Sequence, residues 1–341
     1  MKHALKAALA AAFILALASV SCANKEEKLP DGLYARIDTN RGQMVINLEY
    51  RKAPLTVVNF VGLAEGTLEG TMGTPFYDGL TFHRIDEGFA VMGGDPAADG
   101  TGDPGWNFPD EINPDLRHDS IGVIGMSNHG ENTNGCQFYI TLAEAPYLDD
   151  RYTIFGSVVR GLDVLKKIKV QDRIEKITIE RVGDAAKAFK TDQAAWNELF
   201  ASAAAVVREK FQKARAAQIA QIKARWPELK DVPNGFMMYT VKEGSGQKIE
   251  RFWLVNVAYR GMLPDGTIFD QSDARGGPIE FEVGAGQVIP GWDMVMMDMK
   301  KGEKRVVAIP PEYAYGPDGY RGLIPPNSYL IFELEVTGYT E

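Results

Sequence analysis

Short apolar runs alternating with polar positions fill two stretches of the chain, and a long alanine-rich segment between them follows a different period. From Tyr34 to Ile37, and again over Met44-Val45-Ile46-Asn47-Leu48, the alternation suits half-buried strands, with Asn40-Arg41-Gly42 as the turn of a hairpin. Pro54 to Ala64 sets apolar residues at helical spacing behind a proline in the first turn, which predicts a helix. Further strands with glycine-rich turns continue to about Val182. Residues 184–226 hold no Gly or Pro and carry Phe189, Trp196, Phe200, Val207, Phe211, Ile222 and Trp226 at intervals of 4, 7 or 11, one face of a helix that Pro227 stops. A single straight helix of this length would reach about 65 Å. Such a stripe either packs on a neighbouring domain or dimerises as a coiled coil, and the absence of sustained heptads favours packing. After Pro233-Asn234-Gly235 the strand-and-turn pattern returns and runs to Glu341, with no internal repeat linking the two β-rich regions.

A chain of 341 residues, 45% apolar and 24% charged, is sized and composed for two folded domains. Its net charge of -9 argues against a nucleic-acid partner. The one long uncharged apolar run, residues 7–20, follows Lys2 and Lys6 and is too short to span a bilayer as a helix, so residues 1–21 read as a signal peptide. Ser19-Val20-Ser21-Cys22 resembles a bacterial lipoprotein box in which Cys22 is acylated; ordinary cleavage near Ala16-Leu17-Ala18 is the alternative. Cys136 is the only other cysteine, so an exported protein has no reason to keep Cys22 unless it pairs between chains or is modified. Residues 22–30 form a polar tether in which Asn24-Lys25-Glu26-Glu27 resembles a short surface-lipoprotein tag. The expected address is an exported, membrane-anchored lipoprotein on a periplasmic face or the cell surface.

Over residues 31–182 the motifs Phe82-His83-Arg84-Ile85, Gly88-Phe89, Gly93-Gly94-Asp95, Met126-Ser127-Asn128, Asn132-Thr133-Asn134-Gly135-Cys136-Gln137-Phe138-Tyr139-Ile140 and Phe155-Gly156-Ser157-Val158-Val159 stand in order. This stretch resembles a cyclophilin. The resemblance implies an eight-stranded closed β-barrel with capping helices and a proline-binding cleft. In it Arg84, Phe89 and Gln137 would be catalytic, and Met126, Asn128, Tyr139, Tyr147, Leu148 and Tyr152 would bind substrate. Rotation about a peptide bond costs about 18–20 kcal/mol, whereas the two forms of an X-Pro bond differ by only about 0.5–1 kcal/mol, so catalysis has only a barrier to lower. In the twisted state the proline nitrogen regains its lone pair, and a guanidinium donating to it stabilises that state selectively. The sequence departs from the family pattern at Ala90, usually methionine; at Met92, usually a glutamine that orients the arginine; at Tyr147, often tryptophan; and at Tyr152, often histidine. The Met92 departure weakens the hold on Arg84, and Tyr147 weakens the expectation of tight cyclosporin binding.

Residues 233–341 are similar to the FKBP family, through Val257-Ala258-Tyr259-Arg260-Gly261-Met262-Leu263-Pro264-Asp265-Gly266-Thr267-Ile268-Phe269-Asp270-Gln271-Ser272, Val288-Ile289-Pro290-Gly291-Trp292, Pro311-Glu312-Tyr313-Ala314-Tyr315-Gly316 and Ile324-Pro325-Pro326-Asn327-Ser328-Tyr329-Leu330-Ile331-Phe332. The resemblance implies a five-stranded antiparallel sheet wrapped on a short helix starting near Gly291. Asp270 and Tyr315 would be catalytic, and Tyr259, Phe269, Val288, Ile289, Trp292, Ile324 and Phe332 would line a dry pocket that favours the less dipolar twisted amide. Ile279 and Leu323 are rim candidates, and macrolide binding is a corollary.

Competing motifs fail on spacing. His83, His118 and His129 lack zinc-ligand intervals, Asp95, Asp99 and Asp103 lack the closing Glu of an EF-hand, and Gly284-Ala285-Gly286 has Ile289 where a dinucleotide loop needs its third glycine. The reading is a mainly β chain of two domains joined by a helical linker over residues 183–232. The two resemblances imply a peptidyl-prolyl cis/trans isomerase that needs no cofactor or metal and is expected to assist exported proline-containing polypeptides; the alternative is a proline-binding chaperone or scaffold without turnover.

Overall fold

The computed structural model describes residues 28–341. The leader, Cys22 and most of the tether lie outside the described residues, and no described helix is long and apolar enough to cross a membrane. The chain divides into two compact units between Ala204 and Ala205.

In the first unit, strands β1 (Gly32–Thr39), β2 (Gly42–Leu48), β3 (Arg84–Asp86), β4 (Ala90–Gly93), β5 (Val123–Met126), β6 (Phe138–Thr141), β7 (Ile154–Arg160) and β8 (Ile174–Val182) form one sheet in the order β3-β4-β6-β5-β7-β2-β1-β8. Thr39 faces Gly42 across the β1–β2 turn, and Gly42 takes the positive φ of +127° that this turn demands. The ends of the sheet are drawn together ahead of β3 and β8: Leu80 O accepts from the Ile174 amide at 2.8 Å, and Asp172 O from the Phe82 amide at 2.9 Å. Asp172 fixes this corner by accepting from Asn40 at 2.8 Å, Arg41 at 2.7 Å and the Lys169 amide at 2.6 Å.

Helix α1 (Pro54–Glu65) buries every residue from Leu55 to Ala64. Its first turn has no cap of its own, so Glu111 supplies one, accepting from the Leu55 amide at 3.0 Å and from the Thr56 amide and hydroxyl at 2.6 and 2.7 Å. Phe60 anchors it against Tyr77, Phe138 and Phe155, with ring centroids 5.2, 5.9 and 5.3 Å away. Cys136 lies in this core, and burial pushes its thiol up to about 12.

Short helices α2 (Leu162–Leu165) and α3 (Asp184–Ala188) follow, then α4 (Gln193–Arg225). The helix expected over 184–226 is thus two helices, interrupted at residues 189–192. Thr191 is held by Thr67, Glu65 and Arg181, and the Asp192 carboxylate accepts the Ala195 amide at 2.9 Å, a fresh N-cap. Within the first unit the stripe packs as a stripe should: Phe189 against Tyr50, and Trp196 against Trp106 and Phe200.

In the second unit the remainder of α4 lays Ile219 and Ile222 on a cluster with Met237, Tyr329 and Ile331, and Arg215 binds Glu312 and the Tyr329 hydroxyl. The strands are β9 (Lys230–Asp231), β10 (Met237–Lys242), β11 (Ser245–Lys248), β12 (Leu254–Met262), β13 (Ile268–Gln271), β14 (Ile279–Glu282), β15 (Lys300–Lys301), β16 (Lys304–Ile309) and β17 (Leu330–Thr340). Across the sheet the order is β10, β16, β17, β12 and then β13 and β14 sharing the edge of β12, five positions wide, with two-residue β9 beyond β10. Helix α5 (Pro290–Met296) begins with proline at its first position and packs Trp292, Val295 and Met296 into the concave face.

Candidate active site

Strand parity sorts the first cleft. Arg84 pairs with Met92, Asp86 with Ala90, and Met92 with Tyr139, so these side chains share one face of β3, β4 and β6. Val91, Ile124 and Ile140 go to the opposite face and fill the barrel. On the first face Ala90, Tyr139, Ala145 and Leu148 are buried beneath half-buried Phe89, Met92 and Tyr152. Phe89 stacks on Tyr139 at 6.4 Å and meets Tyr147 at 6.1 Å, while Tyr152 stands edge-on to Tyr139 at 6.2 Å. Tyr147, 62% exposed, forms the outer wall.

Phe89 reaches this place through a tight turn: its amide donates to Asp86 O at 2.9 Å, with Gly88 at φ +72° between them. The Arg84 guanidinium is gripped by Asp86, Nε to Oδ1 at 2.9 Å and Nη2 to Oδ2 at 2.8 Å. Gln137 is fixed by donating to Gly100 O at 3.0 Å and Gly102 O at 2.8 Å. The Asn128 side chain donates to Asp110, in the loop ahead of β5, and to Asn134, and accepts the Gly130 amide. Met126 pairs with Phe138 and turns with it into the main core, apart from the other substrate-binding candidates.

Beneath the cleft runs a buried chain of polar contacts. Asp149 Oδ1 lies 2.8 Å from His118 Nδ1, and His118 Nε2 lies 2.6 Å from the Tyr139 hydroxyl. The carboxylate keeps the proton on Nδ1, so in the neutral ring Nε2 accepts from the phenol. Burial raises the Tyr139 pKa and keeps the hydroxyl protonated.

The second cleft is an aromatic box. Trp292 meets Tyr259 at 5.0 Å and Phe332 at 5.2 Å, both near perpendicular, and Phe269 meets Phe332 at 5.7 Å. Val288, Ile289 and Tyr315 pack half-buried against this core, Ile279 with them, and Ile324 is buried in it. The Trp292 indole N–H has no acceptor among the described residues. Asp270 accepts from the Tyr259 hydroxyl at 2.8 Å and from Arg275 through Nε at 3.0 Å and Nη2 at 2.8 Å. Burial works to raise the Asp270 pKa, and the bonds from Arg275 and Tyr259 outweigh it, leaving the carboxyl below its usual range. Burial and the Asp270 charge push the Tyr259 phenol up to about 12. Burial also raises Tyr315, with Tyr320 adding to it from a ring 4.9 Å away. A separate cavity of about 310 Å³ lined by Val232, Phe236, Met238, Met294, Val295 and Arg305 shares none of these residues.

Two charged partners of the candidate catalytic side chains escaped the sequence reading. Asp86 was findable, because a residue two positions along a strand from Arg84 shares its face. Arg275 was not, since a turn after β13, rather than any period, brings it back to Asp270.

Comparisons with known proteins fall on the same two stretches. Residues 34–184 match the family model described as cyclophilin type peptidyl-prolyl cis-trans isomerase, and residues 246–337 match that described as FKBP-type peptidyl-prolyl cis-trans isomerase. Peptidyl-prolyl cis-trans isomerase A of Mycobacterium tuberculosis is 47% identical over 132 residues, 37% of this chain and 72% of its own. The peptidyl-prolyl cis-trans isomerase of Helicobacter pylori is 41% identical over 155 residues, 45% of this chain and 90% of its own. Among solved structures, a Cryptosporidium parvum cyclophilin type isomerase is similar at 31% identity, covering 44% of this chain and 98% of that one, with a TM-score of 0.40. AtFKBP13 is similar at 36% identity, covering 33% of this chain and 98% of its own, with a TM-score of 0.32.

Proposed function

We propose, for a chain that belongs to the cyclophilin-type peptidyl-prolyl cis-trans isomerases and carries an FKBP-type isomerase domain behind that part, that its two clefts relieve slow proline steps in the folding of exported polypeptides. Isomerisation of proline-containing peptides follows from both families. In the first cleft Phe89, Tyr139 and Leu148 take the proline ring, Gln137 and the main chain at Asn128 hold the peptide, and Arg84 donates to the proline nitrogen as the amide twists. In the second, Tyr259, Phe269, Trp292 and Phe332 exclude water from the twisted amide, and Asp270 and Tyr315 orient it. A thousandfold acceleration needs only about 4 kcal/mol, within reach of one charge-assisted hydrogen bond and an oriented pocket. A macrolide would compete in the second cleft, and the leader and Cys22 would tether the protein to a membrane surface.

One observation carries this reading: each unit holds an aromatic cleft beside a polar group fixed through a two-point ion pair, Arg84 by Asp86 and Asp270 by Arg275. The test is a protease-coupled proline-peptide assay on the full chain, run beside refolding of a proline-limited exported client. Arg84→Ala and Asp270→Val should each remove part of the rate, and together most of it, in both assays. A double variant that refolds the client as fast as the parent would end the folding role. Intact mass of the mature N-terminus tests the anchor, since an unmodified Cys22 thiol rules it out.

Met92, lying opposite Arg84 without a strong acceptor, favours a second reading for the first cleft alone: capture of proline segments without turnover. Retained peptide affinity with no Arg84-dependent rate would establish it.

A further inference from the structure

We propose that Asp86 is the positioning residue for Arg84, performing in this chain the orientation that Met92 has no strong acceptor to provide. The inference rests on the reading of Arg84 given above. Both residues lie on β3 two positions apart, hence on one face, and Met92 is the cross-strand neighbour of Arg84 on that same face. The two bonds of 2.9 and 2.8 Å engage Nε and one Nη2 hydrogen in the parallel fork that a carboxylate offers a guanidinium. Of the five N–H groups of the side chain, three remain to donate elsewhere.

Position, rather than stability, is what such a pair supplies. The Arg84 side chain is 62% exposed, and ion pairs at that exposure contribute little to folding. An unrestrained arginine samples many rotamers, and a donor that must find its place during the reaction stabilises the twisted amide less than one already aimed. The same residue governs the neighbouring wall of the cleft, because Asp86 O receives the Phe89 amide at 2.9 Å. Position 86 therefore meets the ring's main chain through its carbonyl and the donor through its carboxylate, and Asp86→Ala removes only the second. Ala90, its cross-strand partner, places only a methyl group opposite the carboxylate.

The experiment uses the full chain and takes the Arg84→Ala rate as baseline, so that turnover in the second unit is subtracted. Asp86→Ala should lower the Arg84-dependent kcat/KM about tenfold, with the Kd for a proline peptide and the Tm unchanged. Adding Met92→Gln to Asp86→Ala should restore at least half of the loss, and Asp86→Ala placed on Arg84→Ala should change nothing. The proposal is overturned by a rate within twofold of the parent, by a rise in rate, which would mean that the carboxylate competes with proline for the guanidinium, or by a loss matched in peptide affinity. If Arg84→Ala itself leaves the rate untouched, the reading of the first cleft falls as well; if only Asp86→Ala is silent, the positioning role alone falls.

Discussion

Tyr139 serves two sides of the first cleft at once. Its ring stacks on Phe89, while its hydroxyl closes the Asp149–His118 chain below. Tyr139→Phe keeps the ring and strands His118 Nε2 in a buried site, so denaturant unfolding of the first unit should show a loss of about 1–3 kcal/mol, with the peptide Kd nearly unchanged. In the second cleft the sign of a pH effect follows from Asp270. Its folded pKa is depressed, so its contribution is complete above the ordinary carboxylate value of about 3.9 and is lost as pH falls through the lower folded value. Arg275→Ala removes the larger of the two opposing bonds, and the acid limb of the Asp270-dependent rate should then move to higher pH. A limb that stays in place would show that Arg275 does not set this carboxyl.

Among the elements, the β1–β2 hairpin and α1 were legible because alternation and helical spacing are local properties of the sequence. The break at residues 189–192 was not, since no Gly or Pro marks it. Its causes, Glu65, Thr67 and Arg181, are more than a hundred positions away or lie in another strand. Site residues divide in the same way. The aromatic walls stood in their motifs, whereas Met126 was assigned to the cleft although its parity with Phe138 sends it inward, and Arg275 depended on a turn. The cap on α1 is likewise long-range. Glu111→Ala should cost about 1–2 kcal/mol by leaving the Leu55 and Thr56 amides without their acceptor, and Glu111→Gln, which keeps an oxygen there, should cost less; equal losses in denaturant titrations would refute a capping role.

For the molecule as a whole, α4 is the element both units use, and its exposure varies along its length. Trp196 and Phe200 pack half-buried against the first unit's core and Ile222 is buried in the second, but around the division at Ala204 and Ala205 the helix shows long exposed stretches, with Val206 66% exposed. There the helix is held mainly by its own ladder, and an isolated stretch of that length is marginal in water. Limited trypsin should therefore cut first at Arg208, Lys210 or Lys213, and amide exchange should be fastest over the same turns. Initial cuts within β1 to β8 instead would contradict this ranking.

Cys136 has a practical corollary. A sulfhydryl buried in the core, its pKa raised by that burial, should be slow towards maleimides at neutral pH. Once Cys22 is replaced by serine, the protein offers a blank background for site-specific dyes. A lone Tyr147→Cys at the mouth of the first cleft would then report the arrival of each peptide by fluorescence, one molecule at a time.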